Sequence, residues 1–190
     1  MTTTIHIKNM VCQCCIRVIR EDLERAGIAV KEIGLGKATI TYDEESISHE
    51  DIRKVLLESG MDLIETREHR LVEEIKLAVI ELIHHMNNVD SIVRKSEYLV
   101  EKTGLSYTYL SRIFSKHEHI TLEKYLILHK IERIKELIDQ DEFTLSEIAF
   151  MMDYSSVQYL SNQFKHMCGM TVSQYKDSDR SFKKPIDQLY

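Results

Sequence analysis

Residues 96–125 and 146–175 are one segment used twice. Superposed without a gap at an offset of 50 positions, they coincide at Ser96/Ser146, Glu97/Glu147, Ser106/Ser156, Tyr109/Tyr159, Leu110/Leu160, Ser111/Ser161, Phe114/Phe164, Thr121/Thr171 and Tyr125/Tyr175. Ile120/Met170 and Leu122/Val172 differ but keep their apolar class. A duplication at fixed period means one supersecondary unit folded twice, which leaves this half of the chain few other folds.

Each copy reads as a helix, a short turn and a second helix. In the first, Ser96–Lys102 has a helical pattern, and Gly104 supplies the left-handed residue that ends it. Ser106 caps the next helix, where Tyr109, Leu110, Ile113 and Phe114 fall at helical spacing and are expected inside. In the second copy Ser146–Met152 is the first helix, with Thr144 as its cap. Ser155 or Ser156 opens the next, which is expected to bury Tyr159, Leu160 and Phe164. The second helix of such a unit can lie in a DNA major groove. Hydroxyl, amide and basic side chains on its outer face suit base edges and phosphates. The candidate DNA contacts are therefore Ser106, Tyr107, Thr108, Ser111, Arg112, Ser115 and Lys116 from one copy. The other copy offers Ser156, Val157, Gln158, Ser161, Asn162 and Lys165.

The stretches Tyr109-Leu-Ser-Arg-Ile-Phe114, Leu145-Ser-Glu-Ile-Ala149, Tyr159-Leu-Ser-Asn-Gln-Phe-Lys165 and Gly169-Met-Thr-Val-Ser-Gln-Tyr175 resemble the DNA-binding domain of the AraC/XylS family. The likeness covers roughly residues 85–178. It implies two helix–turn–helix units bridged by a long helix, here Leu122–Gln140, that read successive major-groove faces. Four positions depart from the family pattern: Asp153 stands where Gly is usual, Val172 where Pro is, and Lys130 and Ile134 where Arg and Ala are common. Asp153 places a carboxylate near the expected DNA face. The competing reading is an all-helical interaction domain, since helix–turn–helix pairs also occur without DNA. The two copies carry no large Lys/Arg excess, so modest non-specific affinity and a need for a second protomer are expected.

Charge sharpens this. With 31 acidic against 25 basic side chains and a net charge of −6, the chain is not built for indiscriminate nucleic-acid or membrane binding. Met1–Lys8 lacks the basic region and apolar core of a signal peptide, and no apolar run is long enough to span a bilayer. The expectation is a cytoplasmic protein with reduced thiols and no membrane partner.

Residues 1–66 have a different texture. Thr4–Lys8 alternates as a strand, and Ile16, Ile19, Leu23 and Ala26 follow at helical spacing up to Gly27. Ile28–Ile33 and Lys37–Tyr42 are expected strands joined around Gly34-Leu35-Gly36. Ser48 and Asp51 frame a second helix ending at Gly60, and Met61–Glu65 is an expected last strand. The order is that of a ferredoxin-like βαββαβ domain. Between the first strand and helix lies Met10-Val-Cys12-Gln-Cys14-Cys15. Met10-x-Cys12-x-x-Cys15 resembles the metal loop of the heavy-metal-associated domains of copper chaperones and metal-transporting ATPases, with Asn9 in place of the usual Gly and Cys14 as an extra thiol. The resemblance implies Cu(I) or another soft ion as ligand. Two thiolates at a helix N-terminus are acidified by the amides there and suit such an ion. Cys14 is a candidate third ligand or a bridge to a second protomer. A redox pair and a degenerate domain kept for dimerisation are the alternatives.

Residues 67–88 form a connecting helix with Leu71, Ile75, Ala78, Val79, Leu82 and Met86 as its apolar stripe. Leu71–Ala78 is a candidate dimer helix. His84, His85, His117 and His119 are read as solvated or turn residues, and Cys168 as structural. Residues 89–178 form the helical domain, and 179–190 a polar tail containing Pro185. The fold class is α+β, a ferredoxin-like domain, a linker helix and an all-α double helix–turn–helix domain. No catalytic constellation is present, so no enzyme is expected. The function expected is sequence-specific transcription regulation responsive to a soft metal or thiol state. Double-stranded DNA is the partner, with a second copy of the chain and RNA polymerase as candidates. The alternative is a metal-trafficking or dimerising module whose helical domain binds a protein.

Overall fold

Alternation in the first strand decides how the N-terminal part folds. In strand β1 (Thr2–Lys8) Ile5 and Ile7 point to one side, and Thr2, Thr4 and His6 to the other. The computed structural model, which describes residues 1–85 and 95–178, divides the chain into two units, Met1–Leu77 and Ala78–Tyr190. In the first, β1 lies between β3 (Lys37–Thr41) and β4 (Asp62–Leu63), with β2 (Ala29–Gly34) outermost beside β3. All the pairings are antiparallel. Helices α1 (Gln13–Arg25) and α2 (His49–Glu58) alternate with the strands, giving the order βαββαβ. Ile5, Ile7, Ala38 and Ile40 of the sheet share one core with Ile19 and Leu23 of α1 and Ile52 and Leu56 of α2. On the opposite face the hydroxyls of Thr2 and Thr41, and of Thr4 and Thr39, pair at 2.8 and 3.1 Å.

Ser48 caps α2 in a full capping box with Asp51, as its sequence signature implies. The last strand is shorter than Met61–Glu65. Met61 turns into the core, and Asp62 is held by Arg53 of α2 at 2.8 and 3.2 Å. Asn9 has a φ of 68°, a left-handed conformation that Asn tolerates better than most residues. Its amide donates to Glu73 and its side chain to the Gly60 carbonyl.

The connecting segment is helix α3 (Arg67–Ile80) followed by a π-helical turn, Glu81–His85. Ile75, Ala78 and Val79 are buried within the chain. Leu71 and Leu82 of the same stripe are half-buried. Residues 86–88, with Met86, lie outside the described residues, as does the tail 179–190.

The second unit contains α4 (Lys95–Thr103), α5 (Tyr107–Glu118), α6 (Leu122–Gln140), α7 (Leu145–Met151), α8 (Val157–Cys168) and α9 (Val172–Asp177). The repeat is physical as well as textual. Ser106 and Ser156 accept from the amides three residues on, and Thr121 and Thr171 cap α6 and α9 in the same way. Leu110 and Leu160 are fully buried. Phe114 packs on Tyr125 at 5.0 Å between ring centroids, and Phe164 on Tyr175 at 5.6 Å. The one departure is at the turns. Gly104 makes the left-handed turn in the first copy, whereas Asp153 (φ 54°) makes it in the second, one position earlier in the repeat. Tyr154 therefore stands where the first copy has Gly104, and it is buried under the Lys130 ammonium, 4.6 Å from its ring. Its ring centroid lies 5.8 Å from that of Tyr159. Tyr159 is 55% exposed rather than buried, while Tyr109 is half-buried.

His84 corrects another expectation. Its side chain is buried, with Nε2 3.3 Å from Nδ1 of His129 on α6 and Nδ1 3.8 Å from Glu136. Arg133 completes the group, donating to the same Glu136 oxygen at 2.7 Å. Burial, reinforced by His84, lowers the His129 pKa from 6.5 to about 3, so its ring is neutral. Burial opposes charge on Glu136, but the bonds from His84 and Arg133 outweigh it and bring its pKa to about 2.

Phe164→Ala should cost about 3–5 kcal/mol and lower the denaturation midpoint of the helical unit, because no neighbour can fill the space beside Tyr175. An unchanged midpoint would overturn the duplicated core. The unfolded chain binds a proton at His129 more readily than the folded one. Acidification below about pH 6.5 should therefore remove roughly 1.4 kcal/mol per pH unit, down toward pH 3. The stability that Glu136 brings is present above pH 4.5 and is lost as the pH falls toward 2. His129→Phe should flatten the dependence between pH 6.5 and 4.5 in urea titrations and leave the more acidic part.

Candidate functional site

The thiol loop is built where β1 hands over to α1. Cys12 is the N-cap residue of α1, in extended conformation (φ −150°, ψ 169°), so the chain turns at Cys12 and Cys15 falls in the first helical turn. Their sulfurs stand 3.5 Å apart. A disulfide needs about 2.05 Å, so these are two thiols. Thiolates sharing a tetrahedral ion at bonds of about 2.3 Å stand roughly 3.8 Å apart, so the pair reaches metal-binding separation with a small adjustment. Cys12 makes no regular capping bond. Burial raises its pKa, but the nearby amides and thiols of Cys15 and Cys14 outweigh this and bring it below the ordinary value. Burial pushes Cys15 up, and Cys168 likewise. Cys14 is exposed, and among the described residues no group of three or more Cys, His, Asp or Glu is assembled to hold a metal. Met10 is 1% exposed and belongs to the core, so its place in the motif is packing. His117 and His119 fall at the end of α5, where His119 (φ 58°) is the left-handed cap that Gly169 supplies in the second copy.

The other candidate surface lies on α5 and α8. Both helices pack against α6, which presents them from one element. On α5, Ser106, Thr108, Arg112 and Lys116 are exposed, Ser111 and Ser115 half-buried. The Arg112 guanidinium lies 5.2 Å over the Tyr109 ring, which restrains it before any contact is made. Tyr107 is half-buried, and burial raises its pKa. On α8, Ser156, Gln158, Asn162 and Lys165 are exposed, Val157 and Ser161 half-buried. Gln158 donates to the Asn162 side chain at 2.9 Å, joining the two amides into one polar strip. Tyr159 and His166 are also exposed here. Tyr159 is hidden because its helical spacing puts it with Leu160 and Phe164 on the inner face, and His166 is marked in the sequence only by its place in the last turn of α8.

A family described as a helix-turn-helix domain matches residues 99–178, which span α4 to α9. This stretch of the chain is a helix-turn-helix domain. Over 181 residues the chain is 23% identical to the Xylose operon regulatory protein of Escherichia coli (strain K12), a match covering 91% of this chain and 46% of that protein. It is 24% identical over 119 residues to the Msm operon regulatory protein of Streptococcus mutans, covering 56% of this chain and 42% of that one. The chain thus spans less than half the length of these regulators. A third relative, an uncharacterized protein of Haemophilus influenzae, is 33% identical over 66 residues, covering 34% of this chain and 97% of that protein, which puts the two in one family. No helix among the described residues is long and apolar enough to cross a membrane.

The thiol assignment is checked by alkylation. Iodoacetamide at pH 7–8 should modify Cys12 ahead of Cys15 and Cys168 in peptide mapping, and the preference should fade as the pH rises and the other two thiols ionise as well. Equal labelling of Cys12 and Cys15 at all pH values would contradict it.

Proposed function

We propose that the chain is a sequence-specific, DNA-binding transcription regulator whose AraC/XylS-type domain lays α5 and α8 against double-stranded DNA. The observation that carries this is the repeated geometry. Two helix–turn–helix units with the same caps and the same Phe–Tyr pairs hang on one bridging helix and expose hydroxyl, amide and basic side chains. In this reading Arg112, Gln158 and Asn162 meet base edges, while Lys116 and Lys165, with the Ser and Thr hydroxyls, meet phosphates. The acidic chain and the carboxylate of Asp153 beside α8 keep non-specific affinity low, so the reader depends on base contacts or on a second protomer.

The N-terminal unit is proposed to be a ferredoxin-like, heavy-metal-associated-like module that senses a soft metal ion or thiol state. Support comes from the 3.5 Å approach of Cys12 and Cys15 at a helix N-terminus. Those two side chains would hold the ion, which would tie the loop to the first turn of α1, and Cys14 would add a thiolate only after the loop moves. The second reading, a metal-trafficking or dimerising module whose helical domain grips a protein, differs in its salt response: a DNA reader loses affinity steeply as salt rises.

Titration of the whole chain against the genomic fragments it captures best tests both parts. Arg112→Ala and Asn162→Ala should each cost roughly 1–3 kcal/mol and relax sequence preference, while Lys165→Ala should weaken all sequences similarly and flatten the salt slope. Cys12→Ser and Cys15→Ser should abolish tight Cu(I) binding and hold DNA affinity at one value with or without metal, while Cys14→Ser weakens Cu(I) binding only in part. Wild-type binding by Arg112→Ala and Asn162→Ala together would overturn the assigned face. Equal DNA affinity of the apo and metal-loaded wild type would overturn the sensor.

A further inference from the structure

The hydroxyl-bearing face of the N-terminal sheet, opposite the face that packs α1 and α2, carries a cleft of about 230 Å³. His6 of β1, Lys37 of β3 and Arg70 of α3 bring three nitrogen groups to its lining. Among the described residues neither Arg70 nor Lys37 has a carboxylate within salt-bridge distance. Nη1 of Arg70 donates to Nε2 of His6 at 3.3 Å, and its Nε is buried with no hydrogen-bond partner. A buried guanidinium donor facing no acceptor is costly and calls for one.

The acidic groups of the cleft are accounted for separately. Glu73 is committed on both oxygens, accepting from the Asn9 amide at 3.1 Å and from Lys76 at 3.0 Å. Glu74 remains on the rim. Burial, with Arg70 next to it, lowers the His6 pKa, so its ring is a neutral acceptor. The lining then sets Arg70 and Lys37 against Glu74, an excess of one positive charge that suits a monoanion better than a dianion. Leu35, Ile64 and Leu77 supply an apolar end. Gly36 (φ 79°) lets the β2–β3 turn come close to α3, since a Cβ there would stand 3.3 Å from the Leu77 side chain.

We propose that this cleft is a binding site for a small organic monocarboxylate. The planar guanidinium fork of Arg70 matches a carboxylate, the Lys37 ammonium closes on its other side, and a short hydrocarbon part lies against Leu35, Ile64 and Leu77. The volume is below that of drug-sized pockets, which limits the ligand to a few carbons beyond the carboxylate. Arg70 belongs to α3, so an occupied site would hold that helix against the sheet. The site lies on the other side of the sheet from the helix that carries Cys12 and Cys15, and it stands without metal or DNA binding.

Calorimetric titration of the metal-free full chain at low ionic strength tests this, with acetate, butyrate, benzoate and inorganic phosphate as probes. The expected result is saturable one-site binding of the carboxylates, tighter for butyrate than for acetate, with phosphate weaker than butyrate. Arg70→Gln and Lys37→Gln should each weaken butyrate by roughly tenfold or more. Thermal melts check that both variants fold, and exposed Lys37 carries the test should Arg70→Gln not fold. Absence of saturable carboxylate binding at millimolar concentration, phosphate binding as tight as butyrate, or unchanged affinity in the folded variants would overturn the proposal.

Discussion

The helical unit depends on one interaction made twice, a phenylalanine of the second helix of each pair packed on a tyrosine one element further on. Phe114 meets Tyr125 of α6, and Phe164 meets Tyr175 of α9. Each pair fixes the second helix of its unit against the element that follows. The outer faces of α5 and α8 are thereby presented by a rigid interior rather than by loops, which is what recognition of base edges at hydrogen-bond precision requires. Side chains on those faces can vary in chemistry without touching the core, because α5 and α8 bury Leu110, Phe114, Leu160 and Phe164 on the opposite side.

A polar group inside α6 adds a second constraint. His129, neutral and fully buried, is held between Tyr125 and His84, and Glu136 ties His84 to Arg133. Such a group costs more than an apolar core when any member is lost, so it specifies one arrangement of the π-helical turn on α6. In the N-terminal unit, strict alternation along β1 does comparable work. It sorts isoleucines toward α1 and α2 and hydroxyls toward the other face, and the strand runs up to left-handed Asn9, three residues before the Cys12 cap.

Legibility in the sequence followed the range of the interactions. The caps at Ser106 and Thr144 and the buried leucines and phenylalanines of each copy are written in local spacing and in the repeat, and the α6 bounds in the family resemblance, while Thr121 and Thr171 show in the sequence only as matched positions and not as the caps they are. The exposure of Tyr159 is not legible, because its helical spacing puts it with Leu160 and Phe164 on the inner face. His84 and His129 are 45 residues apart, and His6 and Arg70 64 apart, so no local pattern announces either contact. The approach of Cys12 to Cys15 could be anticipated from their i, i+3 spacing at a strand–helix junction. The burial of Met10 could not, since a loop methionine reads equally as ligand or as core.

The account stands or falls on whether both helix–turn–helix units meet one DNA duplex. Hydroxyl-radical footprinting of the purified chain on its best captured genomic fragment measures this directly. Two protected patches roughly one helical turn (about 10 base pairs) apart, disappearing together as salt is raised, are the predicted result. A single patch, or fragments retained without salt dependence, would contradict it.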